Sequence, residues 1–275
     1  MKSGRRSVAV ATIAGALALS VLNAPAAHAA DTGITVSDIV INKGKPIVVG
    51  TSKEVRPPVT FKIALPAGYT TADPFRYTAH PFIYRGSPKT AAESADNYIG
   101  PGIYTCFETD SKHARCEGTF HIDPHPSRKQ VDSNNDATTW KTAVVLRLWK
   151  ADGGLKTEEY ETRSQTVQLK RAAKATVNAT PEPVAKGKAI TVTGKLTRAN
   201  WSTKTYGAYG DRTVSLQFRA KGADTFTTVK KATTSSTGAL RTTVTASTDG
   251  SWRWVYYGNS TTGVATSAAD YVDVL

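Results

Sequence analysis

The segments Lys43-Gly44-Lys45-Pro46-Ile47-Val48-Val49 and Lys186-Gly187-Lys188-Ala189-Ile190-Thr191-Val192 share the pattern K-G-K-x-I-x-V, and a glycine, Gly50 or Gly194, closes each. Apolar residues two apart lie on one face of a strand. The Lys-Gly-Lys ahead of them predicts a turn, because glycine takes positive φ at little cost and the lysines stay hydrated. A glycine within a strand, as at Gly194, predicts a bulge or a close backbone approach. The phrase therefore reads as a turn entering an inward-facing strand, the second strand of each of two units. Nothing in it is chemically reactive, so its role is structural.

The remaining pattern is of the same kind. Val214, Leu216 and Phe218 alternate with polar residues, as do Leu240, Thr242 and Val244, and then Trp252, Trp254 and Tyr256, while Phe226 and Val229 fall in another short strand. Turn formers separate these runs in AKGAD, SSTG, STDG and GNSTTG. In the first half Val59, Phe61, Ile63 and Leu65 alternate, Phe75 to Arg85 reads as an aromatic strand, and AVVLRLW and TVQLK as two more. Short strands at regular spacing with turns between them predict an all-β chain of sandwiches or small barrels. The expected division is residues 30–171 for an N-terminal β-sandwich and 172–275 for a C-terminal one, with a short, stiff junction near Ala172. The connections Gly86 to Gly102 and Ile122 to Thr139 are long for a compact domain, which marks them as functional or loose.

The ends bound the compartment. Lys2, Arg5 and Arg6, an apolar run from Val8 to Leu22, and Ala27-His28-Ala29 have the order of a cleavable export signal, so residues 1–29 are expected to be removed. That run is shorter than the roughly 20 residues a bilayer needs, and no second one follows, so no membrane span is expected. The formal net charge is +13, with 13 basic against 6 acidic residues from Lys174 onward. Scattered as they are, these cations favour solubility and weak electrostatic adhesion, and no specific nucleic-acid binding is expected.

TVNATPEPVAKGKAITVTGKLTRANW, VSLQFRAKG, DGSWRWVYYGN and SAADYVDV resemble secreted actinobacterial proteins built of immunoglobulin-like units, a group often labelled calcium-binding. The resemblance is close over Lys174 to Leu275 and looser over Asp31 to Arg171. It implies two tandem immunoglobulin-like β-sandwich domains after a cleaved signal peptide, exported from a Gram-positive cell, with calcium as a possible ligand.

Cys106 and Cys116 flank FETDSKHAR between strand-like stretches, so a turn would set the sulfurs opposite one another, and in an exported chain the expectation is one disulfide. The rival is a zinc site joining them to His113, His121 and His125, which oxidation would preclude. Asp132, Asn134 and Asp136 repeat the D-x-N-x-D opening of a calcium loop, in which alternate oxygens converge on a hard cation. Ala137 stands where that loop has glycine and Ala143 where it has glutamate, so any calcium site here would be weak, and a polar turn is the plainer expectation. Histidine is absent from Lys174 onward, and no histidine, serine or aspartate of the first half stands in a recognisable catalytic setting. The function expected is a secreted, non-catalytic binding or structural protein of the cell exterior with an unidentified extracellular or cell-wall ligand. The alternatives are an extracellular hydrolase and an electrostatic binder of anionic wall polymers. Tyr69, Phe75, Tyr77, Phe82, Tyr84, Tyr98 and Tyr104 make the first half the aromatic one, and alternation requires half of them to be core.

Overall fold

The computed structural model describes residues 31–125 and 130–275, and the expected export signal at residues 1–29 lies outside the described residues. The chain is all-β, two immunoglobulin-like sandwiches in tandem. In the first, strands β1 (Thr35–Ile41), β2 (Ile47–Val49), β3 (Pro58–Ala64), β4 (Tyr77–Tyr84), β5 (Tyr98–Ile99), β6 (Pro101–Glu108), β7 (His113–Phe120), β8 (Thr139–Trp149) and β9 (Leu155–Arg171) form two sheets. Their orders are β1-β3-β7-β6 and β2-β9-β8-β4-β5. The second sandwich contains β10 (Ala173–Thr180), β11 (Ala189–Asn200), β12 (Thr205–Ala208), β13 (Thr213–Ala220), β14 (Thr227–Thr233), β15 (Ala239–Thr245), β16 (Gly250–Tyr256), β17 (Ala265–Thr266) and β18 (Asp270–Val272). One sheet sets β11 between β10 and β15, with β12 beside its C-terminal half, and the other runs β14-β13-β16, with β17 and β18 both on β16. Both arrangements are the two-sheet, interleaved-strand order of immunoglobulin-like domains.

The repeated phrase does not occupy equivalent places. In the first unit Lys43 and Gly44 take positive φ and lead into β2, which pairs parallel with β9. In the second, Gly187 takes positive φ and leads into β11, which lies antiparallel between β10 and β15. The phrase thus specifies a left-handed turn followed by two inward apolar residues, Ile47 and Val49 or Ile190 and Val192, all buried. It does not specify which sheet receives them, because hydrogen-bonding partners lie far along the chain. The closing glycines differ as well. A methyl on Gly194 would lie 2.3 Å from the Thr176 carbonyl oxygen and 2.8 Å from the Trp254 ring, whereas one on Gly50 would meet only the Tyr206 hydroxyl, at 3.3 Å. Gly194→Ala should therefore cost about 1 to 3 kcal/mol by overpacking against backbone that cannot yield, measured by urea unfolding, while Gly50→Ala changes little.

Two elements depart from the sequence pattern. The Gly86–Gly102 connection contains a short helix, α1 (Pro88–Ser94), which with β5 covers Phe82, Tyr84, Ala143 and Val145 on the outer face of the first unit's second sheet. Phe82 and Tyr84 are thus buried outside the main core rather than within it. Phe75 precedes β4 and is 87% exposed, and Val229, on the edge strand β14, is 47% exposed, so neither is an inward strand position.

Cys106 and Cys116 sit directly opposite on β6 and β7 and form a disulfide, with Cα atoms 4.0 Å apart. It joins adjacent strands of one sheet and leaves the two sheets to be held by packing. Replacing both cysteines with alanine should remove about 2 to 3 kcal/mol of stability by the chain-entropy argument, read as a lower urea midpoint.

Candidate functional site

The loop Asp132–Asp136 lies at the meeting of the two sandwiches. Asn134–Asp136 forms a 3-10 turn capped at both ends of its box: Asn135 N donates to Ser133 Oγ at 3.2 Å and Ser133 N to Asp136 Oδ2 at 2.8 Å. The turn is pinned from beneath by Trp140, whose Nε1 donates to the Asp136 carbonyl at 2.9 Å. The other carboxylate oxygen of Asp136 takes a charge-assisted hydrogen bond from Arg85, whose guanidinium also lies 5.9 Å from the Trp140 ring centre. Asp136 is 5% exposed, and burial raises its pKa against the opposing effects of the Ser133 N–H and Arg85.

Asn134 turns away to the second unit. Its Oδ1 accepts from Trp201 N at 3.0 Å and its Nδ2 donates to Asn200 Oδ1, also at 3.0 Å. Lys204 donates from the same side to the Val131 carbonyl at 3.0 Å, and burial lowers its pKa although Asp132, Asp136 and Asp123 act to raise it. Asp132 and Asp136 line a cavity of about 320 Å³ with Asp96, Asn97 and Gln130, and Asn134 is not part of that lining. The alternation of the three residues is real, but Asp132 and Asp136 line the cavity while the Asn134 side chain is bonded to the second unit. Asn134 and Asp136 are committed to protein donors, and a guanidinium stands where a cation would be drawn. This donor set does not fit the calcium loop that the D-x-N-x-D spacing suggests.

The loop belongs instead to a junction that sequence periodicity did not reveal. Ala199, near the end of β11, and Trp201, just after it, belong to the second unit but are fully buried in the core of the first. Trp201 Nε1 donates to the Val49 carbonyl at 3.2 Å. Ala172 alone separates β9 from β10, and it is tied on both sides, donating to Val49 and accepting from Ala199, each at 2.8 Å. Arg171 N donates to Thr261 O and Gly263 N to Arg171 O, which extends β9 onto a loop of the second unit. The signal for this was available in TRANW, an alternating strand that ends on an aromatic residue beyond its own core, but nothing local says which core the indole enters.

The histidines are separated. With both cysteines oxidised, the zinc alternative has no thiolate. His113 pairs with Asp110 at 2.9 Å on an exposed turn, and His121 with Glu54 at 3.0 Å. His80 is held by the Pro81 carbonyl and packs beside Tyr104, and desolvation, with Arg147 nearby, lowers its pKa to about 4. Ser37 lines the same cavity of about 310 Å³ as the Asp110–His113 pair, yet the imidazole is hydrogen-bonded through Nδ1 to Asp110 and no hydrogen bond joins it to Ser37. The hydrogen-bonded relay of a nucleophile, a base and an orienting acid is thus not assembled there. No helix among the described residues is long and apolar enough to cross a membrane.

Neither a protein-family model nor a curated protein matches the chain. Among solved structures it is similar to a marsupial T cell receptor, at 7% identity over 88% of this chain and 73% of that one, with a TM-score of 0.36. It is also similar to fibronectin(III)-like modules of Clostridium thermocellum CbhA (12% identity, 88% and 93% coverage, TM-score 0.29) and to the D00–D0 domain of intimin (12%, 86% and 99%, 0.25). It spans 63% of a mouse nectin-like ectodomain and 66% of a three-domain titin segment, to which it is also similar. No residue role is carried over from any of these.

Proposed function

We propose that the chain is an exported, non-catalytic protein of the cell exterior in which two sandwiches act as one rigid binding and spacing unit. The observation that carries this is Trp201, a residue of the second unit that completes the core of the first. A joint built of a shared core and backbone hydrogen bonds does not pivot as a polar linker does. The Cys106–Cys116 bond supports an oxidising compartment. In this reading the Asp132–Asp136 loop serves as a latch, through Asn134 to Trp201 and through Asp136 to Arg85.

Small-angle scattering from residues 30–275 tests the rigid joint. A profile reproduced by the single structure supports it, and one that requires an ensemble of reoriented sandwiches overturns it. Intact-mass analysis of protein from the culture medium should show a chain beginning at Ala30, and retention of residues 1–29 would overturn export. A calcium role would require Asp136 to leave Arg85. The melting temperature should be the same in 10 mM calcium and in chelator, and a calcium-dependent rise abolished by Asp132→Asn would restore the cation site.

A further inference from the structure

The outer face of the β14-β13-β16 sheet presents arginines that the fold has ordered but not paired. Side chains alternate along β13, so Leu216 and Phe218 face inward and Gln217 and Arg219 outward; Arg253 lies opposite Gln217 on β16. Phe226, in the turn between β13 and β14, carries both guanidiniums, Arg219 at 4.7 Å and Arg253 at 3.9 Å from its ring centre. Arg253 is fixed a second time, because its Nε donates to Gln217 Oε1 at 2.8 Å. Gln217 is only 8% exposed, and its Nε2 donates to Tyr257 Oη at 3.2 Å. The row Tyr257, Gln217, Arg253, Phe226, Arg219 is therefore one connected array across two strands and a turn.

Among the described residues no ion pair includes Arg219 or Arg253. Arg253 spends its Nε on Gln217 and keeps its two Nη groups for a ligand, as Arg219 keeps all its donors. Each guanidinium carbon lies over the Phe226 ring, and the N–H donors of a guanidinium lie in its plane, in a fork that matches the two oxygens of an acid group. Ordering by Phe226 and Gln217 also removes part of the entropy cost that a free surface arginine meets on binding. Tyr257 borders the array and is 62% exposed, which supplies an open aromatic surface beside the acid-binding edge.

We infer that this face binds an acidic glycan, a carboxylate-bearing sugar meeting Arg253 and Arg219 while a neighbouring sugar ring lies on Tyr257. The choice of an acidic glycan over nucleic acid rests on the export proposed above, since anionic sugar polymers are the polyanions of that compartment. It also rests on the single exposed aromatic of the array, where a nucleic-acid strand would use a succession of stacking rings.

Binding of residues 30–275 to polygalacturonate at about 0.15 M salt tests it, with neutral dextran, polyphosphate and single-stranded DNA as comparison polymers. Arg253→Gln and Arg219→Gln should each weaken polygalacturonate binding about ten-fold or more, the range for losing a charge-assisted bond. Arg241→Gln, which removes the same charge from the opposite sheet, should change it less than two-fold. Arg253→Lys keeps the charge but not the planar fork, and should resemble Arg253→Gln; unchanged melting temperatures show that the variants are folded. The inference is overturned if native protein does not bind polygalacturonate, if Arg241→Gln matches Arg253→Gln, or if dextran, polyphosphate or DNA binds equally well. Intact mass of the protein from the culture medium separates the two proposals, because a chain that begins at Ala30 but does not bind the glycan defeats only this one.

Discussion

Replacing Trp201 with alanine should destabilise the first sandwich by about 3 to 5 kcal/mol, although the residue belongs to the second. The indole is fully buried among first-unit side chains, and its removal leaves a cavity that neighbouring strands cannot close without shifting the sheet. The cost lies in packing rather than in a stranded polar group: the Val49 carbonyl, which accepts from the indole at 3.2 Å, also accepts from Ala172 N at 2.8 Å. Trp201→Phe, which retains most of the volume, should therefore cost much less, about 1 kcal/mol. Calorimetry should resolve one cooperative transition in the native chain and two in Trp201→Ala, with the second unit melting later. Trp254→Ala, which empties the core of the second unit itself, should reverse that order. A Trp201→Ala chain that melts as one unit within 1 kcal/mol of native would show that the shared core does not couple the sandwiches.

This coupling marks where sequence reasoning reached its limit. Period-2 alternation identified strands such as Val59–Leu65, Val214–Phe218 and Trp252–Tyr256, because the face turned to the core imposes a local rule, although Ser215, Gln217 and Val255 on the other face are covered as well. Strand partners are not local. The two K-G-K phrases look alike because both need a left-handed turn and two inward residues, yet one serves a parallel pair with β9 and the other an antiparallel centre strand. The Cys106–Cys116 bond was legible for the opposite reason, since two strands and a tight turn fix the register by themselves.

The candidate site shows the same division. Asp132, Asn134 and Asp136 satisfy a spacing rule for cation ligands, but spacing says nothing about competing donors brought in from β4 and β11. Arg85 directly follows β4 and Trp201 directly follows β11, both distant in sequence. The array on Phe226 is not legible in the sequence because it combines residues of β13, β16 and a turn, none unusual alone.

Removal of Arg85 provides the second large effect and separates the latch from a cation site. Arg85→Ala should cost about 3 to 4 kcal/mol at neutral pH, since it leaves the carboxylate of Asp136, 5% exposed, without its opposite charge. The sign of the pH response follows from the pKa. Burial already holds Asp136 above its ordinary value, so the folded state binds the proton more tightly than the unfolded chain. Its contribution to stability is therefore full below the unfolded value, about 3.9, and is lost as pH rises through the folded value. Deleting Arg85 raises that folded value further, so the variant should regain part of its lost stability on acidification. Asp136→Asn in the Arg85→Ala background removes the stranded charge and should restore most of the loss at neutral pH, because the amide oxygen still accepts from Ser133 N. Urea unfolding of the four chains at pH 5 and pH 7 gives the coupling directly. Costs that simply add, or an Arg85→Ala deficit unchanged by pH, would mean that Asp136 is neutralised by something other than Arg85, and the cation site would then return as the explanation of this loop.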